Sequence, residues 1–171
     1  MALHPRVHGR QPSTDGGMSR RMPIEFRVGD LFADKQLPSL AHGCNCAGSM
    51  GRGIAVEFRR RWPAMYDAYR KECKDGRFRP GDVFFWAAAD QTIFNLATQP
   101  LPRPSARLDY VEASLRKAVR IAEERRIPLI GMPRIGAGYG GLEWPDVKAI
   151  IESIAVETPV VLAVYERPGS S

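Results

Sequence analysis

The sequence has no run of about 18 apolar residues, so no membrane-spanning helix and no membrane partner are expected. No glycine-rich loop ends in Gly-Lys-Ser or Gly-Lys-Thr, which excludes a Walker A site. The first 22 residues lack periodicity and lack the apolar stretch of a secretory leader. They combine Pro, Gly, Ser and Gln with four arginines, and they read as a disordered tail or an upstream extension of the start, with Met18 and Met22 as alternative first residues. There are only three cysteines, an odd number without a secretory signal, which argues against a disulfide framework and for a reducing, cytoplasmic setting. No internal repeat and no second composition shift follow, so residues 23–168 are expected to form one domain.

Charge of one sign is only mildly in excess. The formal net charge is +6, and the tail supplies half of it, with four Arg against one Asp. The weakly basic remainder suits a phosphate-bearing ligand and permits nucleic acid without requiring it; a solvated basic surface is the favoured account of it.

What the chain does have is an apolar content of 44% and a regular alternation of element types. Ile24–Val28 alternates as a half-buried strand, and 39–43 reads as a second. Residues 54–61 read as a helix, and Pro63 opens another over 64–74, where Met65, Tyr69 and Cys73 recur on one face. An Asp-Gly turn at 75–76 precedes a strand pair, 82–89 and 92–97. Three prolines make 99–107 a loop. The longest helix is expected over 108–126, with Tyr110, Leu115, Ala118, Val119 and Ala122 inward. The continuous apolar run 127–132 predicts a strand buried on both faces. A last helix over 145–155 and a last strand over 159–165 complete an α/β sheet with helices on both faces.

Two glycine-rich loops interrupt this pattern where ligands bind such sheets, beyond the strand C-termini. The first is His42-Gly43-Cys44-Asn45-Cys46-Ala47-Gly48-Ser49-Met50-Gly51-Arg52-Gly53-Ile54. The second is Pro133-Arg134-Ile135-Gly136-Ala137-Gly138-Tyr139-Gly140-Gly141-Leu142. Each follows a strand and precedes a helix, so backbone N–H groups can approach a phosphate. Two such loops suggest a ligand with more than one phosphate, held from both sides. His42, Cys44 and Cys46 alternate as three possible metal ligands, but a fourth is missing and the glycines explain the segment better, so no metal is expected. Gly136-x-Gly138-x-x-Gly141, with Glu166 ending the next strand, also fits a dinucleotide fingerprint. Pro133-Arg134-Ile135 separates that strand from the first glycine, however, and a second Rossmann half is absent.

The motifs taken together resemble the macrodomain family, which binds ADP-ribose. The first loop resembles the family's first ligand loop, and Pro133–Trp144 its second phosphate loop. Gly29-Asp30-Leu31 resembles its adenine-contacting segment, and Val164-Tyr165-Glu166 its closing strand, whose aromatic packs on adenine. The resemblance runs in order from about Ile24 to Glu166. It implies a three-layer α/β/α fold with a central mixed, mostly parallel sheet. It also implies ADP-ribose or an ADP-ribosylated protein or nucleic acid as ligand, no cofactor, and a monomer. The implied ligand-binding residues are Asp30, Leu31, Gly43, Asn45, Gly48, Met50, Gly51, Gly53, Ile54, Pro133, Arg134, Ile135, Gly136, Ala137, Gly138, Tyr139, Gly140 and Tyr165.

The branches of the family differ in chemistry. One removes ADP-ribose from protein or DNA with a lysine that follows a Thr, and some of its members add an aspartate in the second loop. The matching positions here hold Gln99, after Thr98, and Gly140, neither of which can act as nucleophile or base. The ADP-ribose 1''-phosphate phosphatases resemble this chain across His42–Cys46 and Trp62-Pro63. Among the ionisable groups near the loops, His42 alone has an ordinary pKa near neutrality; the resemblance implies Asn45 on the distal ribose, and His42 and Asn45 are the candidate catalytic pair. A buried structural role for His42 is the alternative. The expected activity is hydrolysis of ADP-ribose 1''-phosphate or of an ADP-ribosyl linkage; the alternative is a non-catalytic reader.

Overall fold

Period-two alternation in Ile24–Val28 folds as an edge strand, β1, at the start of the described region. The computed structural model describes residues 24–168, so the expected tail over 1–22 lies outside the described residues. After β1 come a one-turn 3-10 helix at Leu31–Ala33, β2 (Ser39–Asn45), α1 (Ala55–Arg61), α2 (Pro63–Lys74), β3 (Val83–Ala87) and β4 (Thr92–Gln99). Then follow α3 (Leu108–Glu124), β5 (Leu129–Met132), α4 (Trp144–Ala155) and β6 (Val161–Glu166). The strands form one sheet in the order β1-β6-β5-β2-β4-β3, parallel except for β3 against β4.

Helices cover both faces. On one, Val111, Leu115 and Ala118 of α3 and Val147 and Ile151 of α4 pack on Ala41, Phe94, Leu96, Ile130 and Leu162. On the other, Phe58 of α1 and Met65 and Tyr69 of α2 pack on Leu40, Ile93, Ala97 and Ala163. Because β4 is covered on both sides, Ile93, Phe94, Leu96 and Ala97 are all fully buried. Fully burying a side chain such as Phe58 contributes on the order of 1.5–3 kcal/mol.

Several boundaries differ from the sequence expectation, each for a local reason. β2 runs two residues past Gly43, to Asn45, because β4 pairs with it that far. Tyr110 is only half-buried, and Val111 takes the inward position, since the Leu115–Ala118–Val119–Ala122 stripe extends back four residues to 111. The apolar run 127–132 begins as the end of α3: Ile127 N donates to Ala122 O, and the strand starts only at Leu129. Between them Arg126 sits at φ +57°, the left-handed conformation that follows many helices and favours glycine. Replacing Arg126 by Gly removes that strain and should raise stability by about 1 kcal/mol, read as a higher urea midpoint at unchanged slope.

Candidate functional site

The ends of β2, β4 and β5 bring three loops together. At Cys44/Asn45 the register of β2 against β4 slips, with Cys44 opposite Ala97 and Asn45 opposite Gln99. The Asn45 carboxamide then builds the first loop. Its Oδ1 accepts from Ala47 N at 3.0 Å and Ser49 N at 3.2 Å, and its Nδ2 donates to Ser49 O at 2.8 Å. The Tyr69 hydroxyl of α2 donates to the Asn45 carbonyl oxygen at 2.7 Å and also lies 3.0 Å from Oδ1. Asn45 is buried, and its polar atoms are turned onto the loop itself. It therefore shapes the site; the structure does not place it as an open ribose ligand.

The loop glycines divide into two kinds. A Cβ on Gly43 would lie 2.8 Å from Thr98 Oγ1, and one on Gly140 would collide with the Gly136 carbonyl oxygen and with Ala106. Gly48 packs on Arg70 and Cys73 of α2, and Gly136 on Val111 and Leu142. Those four are set by protein packing. Gly51 and Gly138 face open space or only the Ser49 hydroxyl, as a ligand-facing backbone requires. Gly53, at φ +59°, lies beneath the Tyr139 ring, where a Cβ would fall 2.9 Å from Cδ2. The two loops thus meet at Gly53 and Tyr139, and Tyr139 remains 58% exposed.

Among the described residues, the backbone N–H groups of Gly51, Arg52, Gly53 and Ile54 have no hydrogen-bond partner, and the same holds for Gly136, Gly138, Tyr139 and Gly140. Met50, Leu31 and Ile135 are buried and can border a ligand only through their backbones. Pro133 and Ala137 are half-buried at the loop edge. Arg134 is held by Glu166, Nη2 to Oε1 at 2.9 Å, with its guanidinium 5.1 Å from the Trp144 ring centroid. Glu166 is thereby paired rather than poised for a ribose.

The third loop, 99–107, opens on Gln99, where the resemblance implies a catalytic lysine in one branch of the family. The Gln99 amide there donates to Leu101 O at 2.8 Å and Arg103 O at 3.1 Å, tying the loop to itself. Ala106 N donates to Gly140 O, which joins this loop to the second.

His42 is not on the cleft wall. It is fully buried beneath α1, stacked on Phe58 with ring centroids 3.7 Å apart and planes 4° apart. Its Nε2 lies 2.7 Å from Asn95 Oδ1, while the Asn95 amide donates to Phe84 O. Burial pushes its pKa down to about 4, with the Asn95 bond acting weakly the other way. A neutral imidazole sealed in the core cannot exchange a proton with a ligand, so the expectation of acid–base work by His42 is corrected to a structural role. It is the only histidine among the described residues. Burial also raises the Cys44 and Cys46 thiols, Cys46 to about 12, which keeps both protonated and weak as nucleophiles.

At the far end of the cleft, exposed Asp30 accepts from Phe32 N through Oδ1 at 2.9 Å, leaving Oδ2 without a partner among the described residues. Tyr165, which the resemblance implies packs on adenine, is 8% exposed. Its hydroxyl accepts from Arg27 at 2.7 Å and donates to Asp34 Oδ2 at 2.8 Å. It props the segment that carries Asp30. The 3-10 turn and this Arg27–Asp34–Tyr165 network had no signal in the sequence, since neither follows from periodicity.

The site thus sits on a three-layer α/β/α sheet, with paired glycine loops at its strand ends. The chain belongs to the macro domain family: the family model of the Macro domain matches residues 41–151. The solved macrodomain of Mycobacterium tuberculosis DarG superposes with a TM-score of 0.77 at 36% identity, covering 86% of this chain and 98% of that one. The DNA ADP-ribosyl glycohydrolase of M. tuberculosis is 36% identical over 151 residues, covering 85% of this chain and 42% of that protein. The chain therefore spans less than half the length of that relative. An ADP-ribose 1''-phosphate phosphatase of Chaetomium globosum is 33% identical, covering 78% of this chain and 85% of the relative. Among the described residues no helix is long and apolar enough to cross a membrane.

The buried His42 predicts a pH effect on stability. Its pKa is lower folded than unfolded, so the unfolded state binds more protons between about 4 and about 6.5, and stability falls as pH drops through that window. His42 should account for a loss of about 3 kcal/mol from pH 7 to pH 4. Urea titrations of the wild type and His42→Asn across this range should differ by that slope; parallel profiles would place the ring in solvent.

Proposed function

We propose that this chain binds ADP-ribose, with its diphosphate between the 48–54 and 133–141 loops, and hydrolyses an ADP-ribosyl linkage or the phosphate ester of ADP-ribose 1''-phosphate. The observation that carries this reading is the pair of unpartnered N–H runs on two loops that meet at Gly53 and Tyr139. Such runs are donors without acceptors, and a diphosphate supplies acceptors with negative charge. The names of the glycohydrolase and phosphatase relatives point to the same ligand. In this reading Asp30 Oδ2 accepts from the adenine amino group, and the distal ribose lies against the loop that Asn45 builds. The chain contributes placement and N–H donors to developing negative charge, while water adds across the bond that breaks. No metal or cofactor is needed, the substrate carrier is a protein or nucleic acid, and the domain acts as a monomer in the reducing cytoplasm, with its three cysteines as free thiols.

A second reading, a non-catalytic reader of ADP-ribosylated protein or nucleic acid, is favoured by two observations. Gln99 stands at the lysine position with its amide tied to the loop, and the one described histidine is buried. Turnover separates the readings. The wild type should release product from at least one of ADP-ribose 1''-phosphate, an ester-linked ADP-ribosyl peptide and an ADP-ribosylated oligonucleotide. Gly53→Ala, strained at φ +59° and crowding Tyr139, should weaken ADP-ribose binding by about tenfold in calorimetry. Tight binding with no release from any substrate selects the reader; unchanged binding by Gly53→Ala removes the cleft.

A further inference from the structure

Beside the cleft, the outer face of α2 carries a row of side chains at helical spacing. Tyr66, Asp67, Arg70, Lys71 and Lys74 lie opposite the buried Met65 and Tyr69. Two open grooves follow this face and share Asp67 and Arg70. One, of about 470 Å³, lies between α1 and α2 and is lined by Arg59, Arg60 and Tyr66. The other, of about 600 Å³, lies between α2 and the Cys46–Gly48 segment of the first ligand loop, with Lys71 and Lys74 on its rim.

The charge of these grooves is uneven in a telling way. Asp67 is the one acidic side chain lining either groove. Arg60 is neutralised by Glu57 at 2.7 Å, and the Glu72 and Asp75 carboxylates of the same helix end face Arg77. Arg59, Arg70, Lys71 and Lys74 have no acidic partner within 4.0 Å among the described residues. Arg59 and Arg70 instead flank the Tyr66 ring, their guanidinium carbons 4.5 and 5.7 Å from its centroid. Solvated surface arginines gain little from such an arrangement, but a planar cation held on an aromatic ring offers a flat stacking surface together with charge.

We propose that these grooves bind the sugar–phosphate backbone of a single nucleic-acid strand and lead it to the first ligand loop. The proposal rests on the reading that the cleft takes ADP-ribose, of which this strand would be the carrier. Regularly spaced phosphates match cations spread along two linked grooves, and unstacked bases match guanidinium and tyrosine planes. Carboxylates of an acidic peptide would match the charge but leave the stacked planes unused. Continuity through Gly48, whose backbone packs on Arg70, ties the groove floor to the loop that carries Gly51 and Gly53.

The test is fluorescence anisotropy with a labelled, unmodified oligo-dT strand, alongside calorimetry with free ADP-ribose. Wild-type binding should weaken with salt at a log–log slope of about −2 to −3, as neutralising four phosphates of a single strand requires. Arg59→Glu/Arg70→Glu should weaken oligonucleotide binding at least about tenfold, and Lys71→Ala/Lys74→Ala should lower the slope by about 1, both with ADP-ribose affinity unchanged. Absence of salt-dependent binding, or full affinity in both variants, overturns the proposal. Displacement of the strand by polyglutamate at matched charge concentration also overturns it and makes an acidic protein the occupant. Failure of ADP-ribose binding while the strand still binds would fall on the cleft reading, not on this surface.

Discussion

The site depends on one carboxamide. Where β2 leaves the sheet, chain direction must change within a few residues, and N–H groups freed by that change need acceptors. Asn45 supplies them: Oδ1 takes the Ala47 and Ser49 amides, Nδ2 returns a bond to Ser49 O, and Tyr69 holds the Asn45 carbonyl from α2. The Ala47 and Ser49 amides are thus satisfied by Asn45, while those of Gly51 to Ile54 have no partner among the described residues. That boundary turns a packing turn into a surface of donors. An alanine at 45 would keep the Tyr69 bond to the main-chain carbonyl but leave the Ala47 and Ser49 amides and the Ser49 carbonyl to find new partners, each at a cost of about 1–3 kcal/mol.

The second loop is built differently but ends in the same state. Gly136 and Gly140 fold it back on itself, with Leu142 N bonded to Gly136 O, and the 99–107 loop braces it through Ala106 N to Gly140 O. Its outward amides remain free. Two independently braced loops then meet at Gly53 and Tyr139, so a ligand that bridged them would be bound by backbone rather than by side chains. This explains why the site contains so few ionisable groups. It also explains how the lysine position can be occupied by Gln99 without loss of the loop, since the glutamine amide serves as a brace.

Much of the fold was legible in the sequence because period-two and helical stripes report burial directly. The α3 stripe and the β6 apolar run are examples, and the two glycine loops were found at the strand ends where the structure places them. What could not be read was the side of the sheet. A residue on β2 and its neighbour point to opposite layers, and only the packing of Phe58 under α1 shows that His42 belongs to the core. The bulge at Asn45 likewise has no periodic signature, yet it decides that this side chain turns onto its own loop. The ties of Tyr165 to Arg27 and Asp34 are equally silent in the sequence, because they span distant parts of it.

The central claim is that free amides of two loops hold a diphosphate. Amide chemical shifts measured during titration with ADP-ribose test it most directly. The account predicts that Gly51, Gly53, Gly136 and Gly138 move together and most strongly, that AMP moves the Asp30 region but these four far less, and that the Asn45-bonded amides of Ala47 and Ser49 shift little. Large shifts confined to the Asp30 region, or equal responses of the four glycines to AMP and ADP-ribose, would contradict it.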